Sequence, residues 1–188
     1  MRHSLRDRVL DAAVAEVAAA GWSGVTMVAV GERAGVSRQS VYNEFGSRSG
    51  LAEVLIQRET GIFLAAVAQA FTEASNSVVG VVAATQAVLE LGEENVLLKA
   101  AVSFEPDTGS ELLPLLTSQS QPIIDAATVL VAGWLGSQAE RLSSAAADPN
   151  FTAGIIVRLV LSFLIRPDGT PAEMADAVGT VAAGMLRQ

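Results

Sequence analysis

A chain of 188 residues, 51% hydrophobic and 5% aromatic with a formal net charge of −8, is long enough to bury a substantial core. Its alanine-rich composition without long alternating β-branched runs indicates an all-α fold. The absence of cysteine excludes disulfides, a thiolate nucleophile and a cysteine-based zinc site.

The one histidine, His3, sits at the extreme N-terminus and reads as a stray terminal residue rather than a ligand or catalytic base. Mean hydropathy is +0.42, yet the longest uncharged stretch, Ala74 to Leu89, has 16 residues and includes Ser, Asn, Thr and Gln. That is too short and too polar to span a bilayer. Asp7, Asp11 and Glu16 interrupt the alanine-rich run after the basic N-terminus, which argues against a secretory signal and for a cytoplasmic protein.

In chain order, the first helix is expected from about Ser4 to Ala20, with Leu10, Ala13, Val14 and Val17 as its apolar stripe and Gly21 as its stop. Trp22 and Val25 read as core residues. Thr26 is a candidate N-cap for a helix through Arg33, and Ser37 for a second helix after the Ala34-Gly35-Val36 turn. Val30 with Ala34, and Val41 with Phe45, fall at i, i+4, so each helix has one face for its neighbour. This is a helix-turn-helix. The free face of its second helix carries Arg38, Gln39, Ser40, Tyr42 and Asn43, whose donors, amides and hydroxyls suit base edges and phosphate oxygens. Arg38, Gln39 and Asn43 are the candidate base contacts; Thr26, Ser40, Tyr42 and Arg48 are the candidate phosphate contacts. Ser47 caps a further helix in whose first turn Arg48 is unfavourable against the helix dipole unless an anion lies nearby. A phosphate would supply one.

The order Thr26, Val30, Glu32-Arg33-Ala34-Gly35-Val36-Ser37, Tyr42, Phe45-Gly46-Ser47-Arg48 and Leu51 closely resembles the N-terminal domain of TetR-family transcriptional regulators. The resemblance covers about the first quarter of the chain. It implies a homodimer on a palindromic double-stranded DNA operator, one recognition helix per subunit in successive major grooves, and repression usually relieved by a small ligand. Arg48 stands where lysine is usual and Glu44 where histidine is common; a carboxylate there should face away from phosphate or accept from cytosine N4. Gly31 replaces the commoner alanine, at a cost of about 1 kcal/mol in a helix interior, consistent with close helix packing.

Beyond Leu51 the resemblance is architectural. The fourth helix continues to about Ala74 with a stripe of Leu55, Ile62, Phe63, Val67 and Phe71. Another runs from Val78 to Leu91, ended by Gly92, and the nearby Glu90, Glu93 and Glu94 read as a solvated helix end rather than catalytic carboxylates. Phe104 to Pro114 reads as a loop followed by one helical turn. Pro122 opens the helix carrying Ile123, Ile124, Val129, Leu130 and Trp134, in a segment reaching about Ala147. Asp148-Pro149 caps a strongly apolar helix ending at Arg166-Pro167, and Thr170-Pro171-Ala172-Glu173 is a capping box for the last.

The last helix has Met174, Val178, Val181 and Met185 at helical spacing, with Gly179 and Ala182 to Gly184 permitting close approach. The final two helices are apolar over more than one face and need cover on both sides; in the family resembled, they commonly form a four-helix bundle with their copies. Arg158, between Ile155-Ile156-Val157 and Leu159-Val160-Leu161, is expected to be a buried guanidinium needing a carboxylate, carbonyls or a ligand anion.

The expected organisation is a DNA-binding domain over residues 1–50 and a ligand-binding and dimerisation domain over 51–188. Through Ala52 six basic residues face five acidic ones, a net +1, whereas the remainder carries −9. The acidic remainder should turn from phosphates, and the slight positive charge of the first part asks for two copies acting together. Phe63, Phe71, Phe104, Trp134 and Arg158 are the candidate ligand-binding residues, for a small hydrophobic effector such as an acyl chain, hydrocarbon or lipophilic drug. No cofactor and no catalysis are expected. The alternative is a helical lipid-binding or scaffold protein without DNA-regulated activity.

Overall fold

The computed structural model describes residues 4–102, 112–142 and 148–186, and every regular element among them is a helix. In chain order these are α1 (Leu5–Gly24), α2 (Met27–Ala34), α3 (Arg38–Phe45), α4 (Arg48–Glu73), α5 (Ser77–Glu94), α6 (Val96–Val102), α7 (Leu112–Leu116), α8 (Gln121–Leu142), α9 (Pro149–Ile165) and α10 (Pro171–Leu186). Among the described residues no helix is long and apolar enough to cross a membrane. Two compact units emerge: Met1–Glu59 with Asn95–Ser120, and Thr60–Glu94 with Gln121–Gln188. The first part of α4 thus belongs to one unit and its second part to the other.

In the first unit α1 packs on α2 and α6, α2 on α3, and α6 on α7. Ser4 and Asp7 cap α1 reciprocally, each side chain accepting from the other's backbone N–H. Gly21 interrupts α1 as expected: at φ +65° and ψ 177° it leaves the helix, and a short turn continues to Gly24. Val9, Leu10, Ala13 and Val17 are buried, as are Trp22 and Val25.

The sequence did not suggest α6. Its start is nevertheless well made: Asn95 Oδ1 accepts from Leu98 N–H at 2.8 Å while Asn95 Nδ2 donates to Glu59 Oε2 at 2.7 Å. Pro114, expected at the edge of a loop, lies inside α7, near enough to its start that the missing N–H costs no intrahelical bond.

In the second unit α10 packs on α5 and α9, α8 packs on α9, and α5 also meets α9. Phe71, Val81, Ala84, Val131, Leu135, Ile156 and Val178 lie in its core. A methyl at Gly179 would overlap Val82, so this glycine lets α10 lie close to α5. Gly92 does not end α5, as had been expected; it keeps helical backbone and is buried inside the helix.

The inward faces of α4, α8 and α9 are rolled away from three residues that the sequence singled out, Ile62, Val129 and Arg158, of which Arg158 was expected to be buried. Ile62 is 47% exposed and Val129 73%, because α4 is turned toward Phe71 and α8 buries Val131, Ala132 and Leu135 instead. Arg158 is exposed rather than buried: on α9 the inward residues are Thr152, Ala153, Ile156 and Val157. Its guanidinium is satisfied locally, Nη1 donating to the Gly154 carbonyl at 3.0 Å.

Candidate DNA interface

Two hydroxyl caps set the helix-turn-helix. Thr26 Oγ1 accepts from Ala29 N–H and Ser37 Oγ from Ser40 N–H, each at 3.1 Å, so the first-turn amides of α2 and α3 gain acceptors the helices cannot provide. Between them Gly35 adopts the left-handed conformation, φ +69° and ψ 37°, which a side chain would strain. Val36 N–H then donates back to the Gly31 carbonyl at 2.9 Å. A Cβ on Gly31 would lie 3.1 Å from the Val36 oxygen and 3.4 Å from Val41 Cγ2; the glycine is what lets α3 fold tightly onto α2. Val30 and Val41 are fully buried and Phe45 nearly so.

With that face committed to packing, α3 turns Arg38, Gln39 and Asn43 to solvent, and Ser40 and Tyr42 are half-buried at its edge. Arg38 lies 5.1 Å over the Tyr42 ring, and Gln39 Nε2 donates to Asn43 Oδ1 at 2.8 Å. These one-turn pairs hold long side chains in place before any partner arrives. The amide pair presents an acceptor, Gln39 Oε1, beside a donor, Asn43 Nδ2, the combination that a base edge reads. The expected contacts on α3 thus lie on the part of the helix not committed to packing, and Thr26 is exposed at the start of α2.

Arg48, expected at a phosphate, has an internal partner in the chain by itself. Its guanidinium lies 5.0 Å over the Trp22 ring, and Nη2 donates to the Trp22 carbonyl. The negative partner that the first turn of α4 calls for is thus a backbone oxygen beyond the Gly21 break. Glu44 also has an internal partner: Arg6 Nη1, from α1, donates to Glu44 Oε1 at 2.9 Å. Sequence reasoning did not single out Arg6, and no local pattern marks it, since 38 residues separate the pair. Similarly, Arg33 donates to Glu16 Oε1, so two arginines of the small domain are balanced within it.

Of the candidate effector residues, Phe71 and Trp134 meet as a parallel stack, centroids 4.0 Å apart and planes 1° apart. A methyl at Gly80 would strike the Trp134 ring. Phe63 is half-buried and lies two turns before Phe71 on the same face of α4, about 12 Å away by helical rise. Arg158 is on the outward side of α9, apart from them, and Phe104 lies outside the described residues.

A short, doubly capped helix pair presenting amides, hydroxyls and one guanidinium from its second helix defines a helix-turn-helix regulator. Residues 9–55 match the family model described as bacterial regulatory proteins, tetR family, and residues 76–184 match the bacterial tetracyclin repressor C-terminal domain. The chain belongs to the TetR family and is a transcriptional repressor of that kind. It is 32% identical to the HTH-type transcriptional regulator AlkX of Mycobacterium tuberculosis, over 93% of this chain and 81% of that protein. Among solved structures it resembles the TetR family repressor AlkX of Dietzia sp., implicated in biodegradation of n-alkanes. That likeness has 27% identity and a TM-score of 0.76, covering 98% of this chain and 97% of that one. FadR of Bacillus subtilis, solved with stearoyl-CoA, shares the fold at 13% identity and a TM-score of 0.68, over 96% and 98% of the two chains.

Proposed function

We propose that two copies of this chain bind a palindromic operator in the cytoplasm, with each α3 in a major groove, and that a small apolar effector releases them. The observation that carries this reading is the outward polar face of α3, held by the Ser37 cap and the Gly31 contact. Arg38, Gln39 and Asn43 contact bases, and Thr26, Ser40 and Tyr42 contact phosphates. Arg48 acts from behind them, through Trp22. The functional division falls at residues 1–50 for DNA and 51–188 for effector and partner copy.

The effector is a long alkyl chain, a reading supported by the apolar side chains of Phe63, Phe71 and Trp134 and by the alkane connection of the Dietzia relative. Dimerisation runs through α9 and α10, whose outward Phe151, Ile155 and Val181 are 62%, 38% and 39% exposed in the single chain. Arg158 belongs to that face. The effector releases DNA only by as much as it prefers the non-binding state, about 5.5 kcal/mol for a shift from 1:99 to 99:1. Catalysis, cofactors and a membrane anchor have no part in this reading.

The test is selection of duplexes from a random pool, followed by gel-shift titration with and without a long-chain alkane or fatty acyl compound. Recovery of a palindrome, released by the alkyl compound, is expected. A folded dimer that recovers no duplex would overturn the DNA-binding role and favour a lipid-binding protein.

A further inference from the structure

Glu44 is an unexpected residue on a DNA-reading helix. It occupies the last turn of α3, which has no basic residue; there the helix dipole disfavours a carboxylate, and phosphates nearby would disfavour it further. With Arg38 as the helix's only cation, α3 carries no net charge. The offset comes from α1, where Arg6 Nη1 reaches Glu44 Oε1 at 2.9 Å and the guanidinium lies 5.6 Å over the Phe45 ring. The Arg6 and Glu44 side chains are 48% and 31% exposed, so the pair is accessible to water and to an incoming anion. Exposed pairs of this kind are weak and easily exchanged.

We propose that Glu44 competes with operator phosphate for Arg6, and so sets the affinity and salt dependence of DNA binding. The Phe45 ring keeps the guanidinium beside the C-terminal end of the recognition helix whether or not Glu44 holds it. When DNA arrives, a phosphate oxygen replaces the carboxylate as the acceptor for Arg6. The gain from that contact is reduced by the loss of the internal pair. Glu44 thereby tempers binding, leaving more of the discrimination between sequences to Arg38, Gln39 and Asn43.

This inference rests on the DNA-binding reading above, and the experiment separates the two. Wild-type protein, Glu44→Gln, Arg6→Gln and the double variant are titrated with the duplex that wild-type recovers from a random pool, over a range of salt concentrations. Glu44→Gln is expected to bind about threefold to tenfold more tightly at 0.1 M salt, a concentration of roughly physiological order, and to steepen the slope of log K against log salt by about 0.9 per subunit. Arg6→Gln should weaken binding and flatten the slope. In the Arg6→Gln background the Glu44→Gln gain should fall below about twofold, the non-additivity expected of coupled residues. Unfolding midpoints monitor folding; both side chains are partly exposed, so the variants remain folded. An undiminished gain without Arg6 would overturn the proposal, because Glu44 would then act on phosphate directly. Loss of affinity in Glu44→Gln confined to operators with a C·G pair at one position would overturn it in favour of base reading. If wild-type recovers no duplex, the DNA-binding reading falls and this inference with it; if wild-type binds and Glu44→Gln is unchanged, this inference alone falls.

Discussion

Arg48 shows how a cation in the first turn of a helix can find its acceptor within the chain. A cation in the first turn of α4 opposes the helix dipole, and here it is placed over the Trp22 ring with a carbonyl oxygen as acceptor. A cation over tryptophan contributes about 0.5–2 kcal/mol and a hydrogen bond from a charged donor about 1.5–3 kcal/mol. Arg48→Ala is therefore expected to lower stability by about 1–3 kcal/mol in urea unfolding and to weaken binding to all duplexes alike. The salt slope should stay unchanged; a slope flattened by about 1 per subunit would restore a phosphate contact for Arg48. Glu173 offers a pH test at the same scale. Hydrogen bonds from the Thr170 backbone N–H, then from its hydroxyl, hold the Glu173 carboxyl below its ordinary value of 4.5. A lowered folded-state pKa stabilises above the unfolded value and is lost as pH falls through the folded one. The difference in unfolding midpoint between wild-type and Glu173→Ala should accordingly be constant near neutrality and narrow below pH 4.5. A gap that widens on acidification would refute the assignment.

The elements themselves were largely legible because their signals are local. Thr26, Ser37, Ser47, Asp148 and Thr170 each cap a helix through contacts two or three residues away, a range that sequence spacing reports directly. Gly21 and Gly35 are left-handed at the ends expected of them. The misread features depend on which way a helix is rolled or on distant partners. Arg158 has apolar neighbours on both sides in sequence but lies on the outward stripe of α9, and periodicity in a helix apolar nearly all round cannot say which stripe that is. The Arg6 and Glu44 pair, and Arg48 on Trp22, span 38 and 26 residues. Glycines within helices carry a related ambiguity, and Gly80 resolves as a contact: a methyl there would strike Trp134 and come within 3.0 Å of the Ala74 methyl. Alanine should improve α5 by about 1 kcal/mol in propensity, whereas overpacking costs about 1–3 kcal/mol and displaces Trp134 from Phe71, a further 0.5–1.5 kcal/mol or so. The crowding wins. Gly80→Ala is expected to be net destabilising in urea unfolding, with a changed tryptophan emission spectrum; a more stable protein would show that the ring moves aside freely.

For the whole molecule, charge and apolar surface lead to the same requirement. Residues 1–52 carry a net +1, and two of their six arginines, Arg6 and Arg33, are held in internal ion pairs with Glu44 and Glu16. One copy therefore releases few counter-ions from DNA, and in the proposed dimer the second reading head, binding at high effective concentration, would supply much of the affinity. The surface proposed to hold them is on α9 and α10, where Phe151 is 62% and Val181 39% exposed. In a single chain, glutamate at either position would face water at little cost; in a dimer it would be an unpaired charge in an apolar contact. The double variant Phe151→Glu with Val181→Glu should thus remain folded, run as a monomer in native mass spectrometry, and lose about a hundredfold or more in operator affinity, the lower edge of what avidity supplies. Its binding curve should also become that of independent half-sites. If the variant stays dimeric with operator affinity intact, the partner copy docks elsewhere, and the outward apolar residues of α9 and α10 must be explained by another occupant.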